Sequence, residues 1–406
     1  MATSDLSRRK FVTNSVLTLG GLAAMNLPLL STAAALAADP IRLGLIGSGS
    51  RGSGLANTIK DLPGAQIVAC CDIIPAHLQN GLAEAVKGAK GYSDYRKLLD
   101  DKSIQAVIIA TPHYLHAPMA IDALAAGKHV YLEKSLAFSI PQTLELVKKA
   151  EASPLVFQVG YQYRYYPLYH KVKEIIGQNW LGKITHFESQ YNRNSNWRVP
   201  VTDPKMERAL NWRMYREYCG GPLSELCAHQ IDMVNYLLGE HPLKAVGMGG
   251  VNYWKDGRDT YDNVHTIYEY PGGVKSAVYS VLSNAYNGYS IKVFGDKATV
   301  EIQREKAFIY AESFDHAKGV VDGVSGATIE AITQGKPIEL QVYKEGMKEE
   351  EPTITALRDF IDCIRTKRKP ASNVQTARDT SIAILMGNAA MDTNTLQEWK
   401  PEYSIQ

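Results

Sequence analysis

At 406 residues, with 45% hydrophobic and 21% charged side chains, the chain has an ordinary globular composition and room for a leader and two domains. Its formal charge of +2 comes from Arg8, Arg9 and Lys10 against Asp5 in residues 1–37, so the remainder is neutral. A neutral body gives no electrostatic case for nucleic acid or an anionic membrane surface.

The chain opens with Ser7-Arg8-Arg9-Lys10-Phe11-Val12, a twin-arginine pattern. Residues 11–38 are uncharged, and Ala35-Leu36-Ala37 offers a small-residue cleavage site. Residues 1–37 are therefore expected to be a twin-arginine signal peptide directing the protein to the periplasm. The alternative, an uncleaved anchor, has the length but carries Asn14, Gly20, Gly21, Asn26 and Pro28.

Leu43 to Ile46 reads as a buried strand, followed at once by Gly47-Ser48-Gly49-Ser50-Arg51-Gly52 and a helical pattern. This is the dinucleotide fingerprint in its proper setting. Gly47 permits the tight turn, Gly49 lets backbone approach a pyrophosphate, and Gly52 lets helix pack close to strand. Free N–H groups at the helix start would hold the phosphates. The next strand, Gln66 to Cys71, ends in Asp72, twenty residues beyond Gly52. An acid there accepts from a ribose 2′-hydroxyl and repels a 2′-phosphate, which predicts NAD over NADP.

Strands and helices then alternate. Ser93 is expected to cap a helix from Asp94 to Leu99, and Val107 to Ala110 is a strand ending in Thr111-Pro112-His113. A helix runs to Ala126 with Gly127 as its stop. His129 to Leu132 is a strand ending in Glu133-Lys134, Ser139-x-x-Gln142 is a capping box, and Leu155 to Val159 is a further strand. Such alternation predicts a doubly wound parallel sheet, the Rossmann arrangement, with ligands at the carboxyl ends of the strands. Asp72, Thr111 and Lys134 should meet there.

The stretch Ala110-Thr-Pro-His-Tyr-Leu-His-Ala-Pro118 and the run Ala126-Gly-Lys-His-Val-Tyr-Leu-Glu-Lys134 resemble the Gfo/Idh/MocA oxidoreductases. So do Val159-Gly-Tyr-Gln-Tyr-Arg164, Leu181-Gly-Lys183 and Gly220-Gly-Pro-Leu-Ser-Glu-Leu-Cys-Ala-His-Gln-Ile-Asp232. Members act mainly on sugars and cyclitols with NAD or NADP. The resemblance implies cofactor contacts from Gly47, Ser48, Gly49, Arg51, Gly52, Asp72, Thr111, Pro112, His113, His116, Glu133, Lys134 and Gln162. It also implies catalytic roles for Lys134, His229 and Glu225, and a homodimer or homotetramer formed through an open-faced sheet. The chain departs from the family in carrying Ser135 after Glu-Lys, where proline is usual, and Glu225 where aspartate is usual. Twin-arginine leaders typically accompany proteins exported already folded, which implies NAD held tightly enough to travel with the protein; a close variant of the dehydrogenase reading resembles glucose–fructose oxidoreductase, which recycles a trapped cofactor between two sugars.

Beyond Gly160 the pattern changes. A helix from Pro167 to Gln178 leads into strand-like runs at Ile184–Tyr191, Ala245–Tyr253, His265–Tyr270, Val274–Leu282 and Ser290–Phe294. Short returns such as Pro271-Gly272-Gly273 predict a mostly antiparallel, open-faced sheet in a C-terminal α+β domain. Helices from Ile354 to Thr366 and Val374 to Met391 should pack back on the body. The expected division is leader 1–37, NAD domain 38–159, substrate and oligomerisation domain 160–353, and C-terminal helices 354–406.

One helix, Leu223 to Leu238, is expected to carry Glu225, His229 and Asp232 on a shared face. Oxidation of a ring hydroxyl needs a base for its proton, and an imidazole, with a reference pKa near ~6.5, suits that task. His229 is thus the expected proton acceptor, Lys134 polarises the substrate oxygen, and Glu225 orients the imidazole. The two proton-handling roles are exchangeable.

The insertion Gln190 to Arg198 and Asn211-Trp212-Arg213, with the tyrosines at 161, 163, 165 and 166, is polar and aromatic. Arg164, Asn211, Trp212, Arg213 and Asp232 are the expected substrate-side residues, with oligomer contacts as the competing use of the tyrosines. No metal is expected, since no ligand spacing appears and none of the five cysteines forms a Cys-x-x-Cys pair. A Cys219–Cys227 bridge is left open. The readings to separate are an NAD-dependent sugar or glycoside dehydrogenase, an NAD-dependent N-acetylgalactosaminidase-like hydrolase, and a non-catalytic sugar-binding protein.

Overall fold

A computed structural model describes residues 39–312, 337–340, 342 and 350–404. The expected export signal lies outside the described residues. Pro40 to Gln406 forms one compact unit.

Among the described residues, the first sheet has six strands in the order β3-β2-β1-β4-β5-β6, every pair parallel. They are β1 (Ile41–Ile46), β2 (Ala65–Cys71), β3 (Lys90–Tyr92), β4 (Ala106–Ile109), β5 (His129–Leu132) and β6 (Phe157–Val159). β1, β4 and β5 are nearly wholly buried, as apolar runs covered on both faces must be. The helices are α1 (Ser50–Lys60), α2 (Pro75–Glu84), α3 (Tyr95–Asp100), α4 (His116–Ala125) and α5 (Ile140–Glu151). Strand order reverses between β1 and β4, which opens a crevice at their carboxyl ends. α2 and β3 are additions to the sequence reading, and Asp94, not Ser93, caps α3 by accepting from Arg96 N at 3.0 Å. The Ser139 cap forms as expected by accepting from Gln142 N, but Gln142 Oε1 reaches back to Phe138 N, one residue earlier than in a capping box.

α6 (Pro167–Gly177) leads to the second sheet, of nine strands among the described residues, in the order β14-β13-β12-β11-β7-β10-β9-β8-β15. β7 (Ile184–Tyr191) pairs in parallel with β10 (Lys275–Val281), and every other pair is antiparallel. α7 (Gly221–Glu225), α8 (Ala228–Leu238), β8 (Lys244–Gly250), β9 (Asn263–Glu269), β11 (Tyr289–Gly295), β12 (Ala298–Ile302), β13 (Ala307–Ala311), β14 (Ile338–Glu339) and β15 (Gln397–Glu398) complete the set. Alternation in β9 buries Val264, Thr266 and Tyr268 and leaves Ile267 half exposed, beside Val246 and Met248 on β8. One face is thus open, as the alternating pattern requires.

α9 (Pro352–Thr366) and α10 (Val374–Thr393) return over both sheets. α9 seats Leu357, Phe360, Ile361 and Cys363 in the core beneath β1, β2 and β5. Phe360 meets Tyr131 edge-on, with ring centroids 5.8 Å apart. The five thiols are free and buried, so Cys219 and Cys227 are not bridged. No described helix is long and apolar enough to cross a membrane.

Phe360→Ala removes a wholly buried ring and should cost about 3–5 kcal/mol, read as a fall in the urea midpoint at unchanged slope.

Candidate active site

The glycine turn is held by contacts that tolerate no side chain. Gly47 sits at φ +87°, and a Cβ on Gly52 would lie 1.8 Å from Gly47 O. At the end of β2, Asp72 accepts from Ser48 N at 2.7 Å and from Ile74 N at 2.8 Å. The acid is thereby fixed beside the turn, with carboxylate lone pairs still available to a ribose. His77 Nδ1 stands 3.8 Å from it.

Beyond the turn lies a cleft of about 350 Å³. Its walls include Arg51, Thr111, His113, His116, Glu133, Lys134 and Gln162 from the parallel-sheet half. Tyr191, Arg193, Trp197, Trp212, Arg213, Glu225 and His229 line it from the other half. Thr111 Oγ1, Gln162 Oε1 and His229 Nδ1 are buried without partners. Unanswered polar atoms around a glycine turn and a fixed acid fit a dinucleotide whose amide and ribose would supply the missing partners.

The cleft is organised around Glu225. Its carboxylate receives Arg213 Nε at 2.6 Å and lies 2.8 Å from His113 Nε2, a close ion-pair-type contact short of an aligned hydrogen bond. Lys134 Nζ donates to its backbone oxygen at 2.8 Å. Burial opposes ionisation, yet Arg213, Lys134 and His113 together hold the carboxyl well below the usual range. Glu225 therefore does not orient His229, as the sequence reading expected: its acceptors are taken by Arg213 and His113, and His229 Nδ1 has no partner.

Nor is there one helix from Leu223 to Leu238. A continuous helix would hand Glu225 O to His229 N–H. Lys134 takes that oxygen instead, His229 N bonds to Leu226 O, and the chain breaks into α7 and α8. Glu225 and His229 still line the cleft, but Asp232 turns away. Wholly buried, it is gripped by Arg164 through Nε and Nη2, and also accepts from Thr380 at 2.9 Å. Arg164 and Asp232 are thus corrected from substrate contacts to an internal ion pair. Asn211 is corrected likewise: it is buried and clips Val199 N and O at 2.8 and 3.1 Å. Tyr161, Tyr165 and Tyr166 are core residues, not a sugar platform. Tyr163 packs on His229 with centroids 5.0 Å apart.

His116 spends both ring nitrogens on backbone, at Ser135 O (2.6 Å) and Thr111 O (2.8 Å). It braces the ends of β4 and β5 against each other, and burial pushes its pKa down to about 4. A neutral ring donates to only one of these oxygens. The Lys134–Ser135 peptide is cis. Pro112 precedes the single turn His113–Leu115 and is not among the cleft walls.

Burial first, then Lys134 and Arg51, hold the His229 pKa well below the ordinary imidazole value, so its ring is neutral. Arg51 is paired with Glu133 at 2.8 Å. Tyr191, Arg193 and Trp197 were not singled out from the sequence as site residues. Their only signal there was the polar, aromatic character of the insertion after β7. His113, Cys219 and Glu225 offer ligand-type atoms within 4.8 Å of one another. Arg213 and Lys134 already neutralise that acid, which disfavours a cation there.

A doubly wound parallel sheet with a glycine turn, joined to an open-faced sheet that closes a polar cleft, defines a two-part dinucleotide-binding protein. The chain belongs to the Gfo/Idh/MocA family. Residues 41–161 match its oxidoreductase domain with NAD-binding Rossmann fold, and residues 169–301 match a GFO/IDH/MocA C-terminal domain. Levoglucosan dehydrogenase of Pseudarthrobacter phenanthrenivorans is 29% identical over 238 residues, covering 53% of this chain and 59% of that protein. A glycosyl hydrolase family 109 protein of Shewanella pealeana is 30% identical over 233 residues, covering 52% of this chain and 50% of that one. The matches thus span about half the length of these relatives. The solved complex of levoglucosan dehydrogenase with NADH and L-sorbose superposes with a TM-score of 0.72 at 20% identity, over 90% of this chain and 100% of that one, and shares the fold.

Asp232→Ala strands the Arg164 charge in the core and should cost about 3–5 kcal/mol in thermal or urea unfolding. NAD affinity by fluorescence titration should stay within about threefold, since the pair lies outside the cleft.

Proposed function

We propose that the protein oxidises a ring hydroxyl of a sugar or cyclitol, with NAD as the hydride acceptor. The observation that carries this is the convergence of Lys134, from the end of β5, and His229, from the start of α8, on one cleft beside the glycine turn. The nicotinamide, when bound, accepts the hydride. The chain's own residues handle everything else. Gly47, Ser48, Gly49 and Gly52 would receive the diphosphate and Asp72 the adenosine ribose, while Thr111 and Gln162 offer unpartnered oxygens to the nicotinamide end. His229, neutral and with Nδ1 unpartnered, accepts the hydroxyl proton. The Lys134 ammonium, steadied on Glu225 O, donates to the same substrate oxygen. Glu225 acts through Lys134 and Arg213 rather than on the imidazole. Trp212, stacked under Arg213 at 4.2 Å, gives an apolar face to a sugar ring.

The twin-arginine pattern supports export through that route, with NAD loaded before the protein leaves the cytoplasm. The open face of β8 and β9, with Val246, Met248 and Ile267 exposed, supports pairing between copies. The division at Gly160 and at Ile354 is read as the boundary between cofactor, substrate and C-terminal parts.

A panel of sugars, cyclitols and aryl glycosides offered to the purified protein tests the reading. Keto-sugar formation with net NADH, or with reduction of an added acceptor, is the expected result. Aglycone release without net redox change would replace it by the hydrolytic reading that the family 109 relative suggests. Lys134→Ala and His229→Ala should each lower turnover by about 10²–10⁴ while nucleotide stays bound.

A base works in its unprotonated form, so a lowered His229 pKa moves the loss of activity to lower pH. kcat/KM should therefore be flat from about pH 8 to below about pH 6, where an ordinary imidazole would already halve it near ~6.5. An acid limb centred at or above that value would rule His229 out as the base.

A further inference from the structure

Two guanidiniums of the second-sheet half meet at one phenol, and the first of them lines the cleft. Arg193, just past β7, donates from Nη2 to Tyr191 Oη at 2.7 Å. Arg304, in the turn between β12 and β13, donates from Nη2 to the same oxygen at 3.0 Å. Neither forms an ion pair among the described residues. The arginines that line the cleft with Arg193 do: Arg51 with Glu133 and Arg213 with Glu225. Glu351, the acid at the start of α9, spends its carboxylate on Thr353 N and Oγ1 at 3.0 and 2.8 Å. Both arginines are exposed, so solvent screens the repulsion between them, and the Tyr191 phenol favours the Arg304 charge.

A run of ring contacts links the shared phenol to His229. Tyr191 meets Tyr289 at 5.4 Å, Tyr289 meets Tyr163 at 5.5 Å, and Tyr163 meets His229 at 5.0 Å, centroid to centroid. Tyr191 and Arg193 line the same cleft as His229 and Lys134. The glycine turn lies in the other half of the protein, so these arginines are not needed for the diphosphate.

We propose that the substrate is an anionic sugar, whose carboxylate or phosphate is received by Arg193 and Arg304 beside Tyr191. This rests on the reading of the cleft as a sugar-alcohol site and names the class of sugar it takes. Guanidinium donors match the paired oxygens of such groups, and charge-assisted bonds of this kind are about twice as strong as neutral ones.

Calorimetry on the full, NAD-loaded protein tests it without requiring turnover. The probes are glucuronate, galacturonate and glucose 6-phosphate against glucose and galactose. At least one anion should bind about tenfold or more tightly than its neutral parent, carboxylate and phosphate arms telling the two groups apart. That preference should shrink in about 0.5 M NaCl. It should collapse toward a ratio of about one in R193A/R304A and be only partly retained in R193K/R304K, which keeps the charge without the paired donors and controls for folding. Neutral parents binding as tightly as every anion, or a preference undiminished in R193A/R304A, would overturn the assignment. Tight anion binding without oxidation would instead sink the dehydrogenase reading and leave this one standing.

Discussion

The buried carboxylate of Glu225 is the charge on which the cleft depends. Arg213 and His113 converge on its oxygens, and its backbone carbonyl receives Lys134. Three positions far apart in the chain are thereby drawn to one point: the end of β4, the end of β5 and the loop before α7. A buried acid is costly alone, and so are the cations around it; together they offset one another. The same arrangement breaks the helix between α7 and α8, because the oxygen that Lys134 takes is the one a continuous helix needed. That break separates Glu225 from the helix that carries His229 and Asp232.

Polar residues on α8 divide into two uses. His229 faces the cleft against Tyr163, kept neutral by burial and by neighbouring cations. Asp232 faces the interior and locks Arg164 and Thr380, tying the start of the second half to α10. One use positions chemistry and the other maintains the scaffold that positions it. His116 belongs with the second: lying within the cleft wall, it is spent on the carbonyls of Thr111 and Ser135.

Charge is distributed unevenly between the halves. Near the glycine turn Arg51 has its acid in Glu133. Near the second sheet, Arg193 and Arg304 share a phenol instead. A chain that is neutral beyond residue 37 can thus hold a local positive field on its second half.

Much of the parallel-sheet half was legible in the sequence, because its signals are local. Apolar runs, glycines at fixed spacing and an acid at the end of the next strand each constrain backbone within a few residues. Ile184–Tyr191 was read to the residue for the same reason, since period-two alternation survives whatever packs on it. The identities of Lys134, Glu225 and His229 as cleft residues were also within reach, through motif resemblance. What the sequence could not specify was partnership. Glu225 and His229 stand four apart, and spacing alone suggested a pair, yet a lysine ninety-one residues upstream decided otherwise. Arg164, Asn211 and Asp232 carry the residue types of a sugar site, but burial turned them into internal clips. Arg193 looked like any arginine in a polar insertion until β7 and the β12–β13 turn set it beside Arg304. Local backbone preference is written along the chain, whereas the answer to each charge depends on which distant segment folding brings against it.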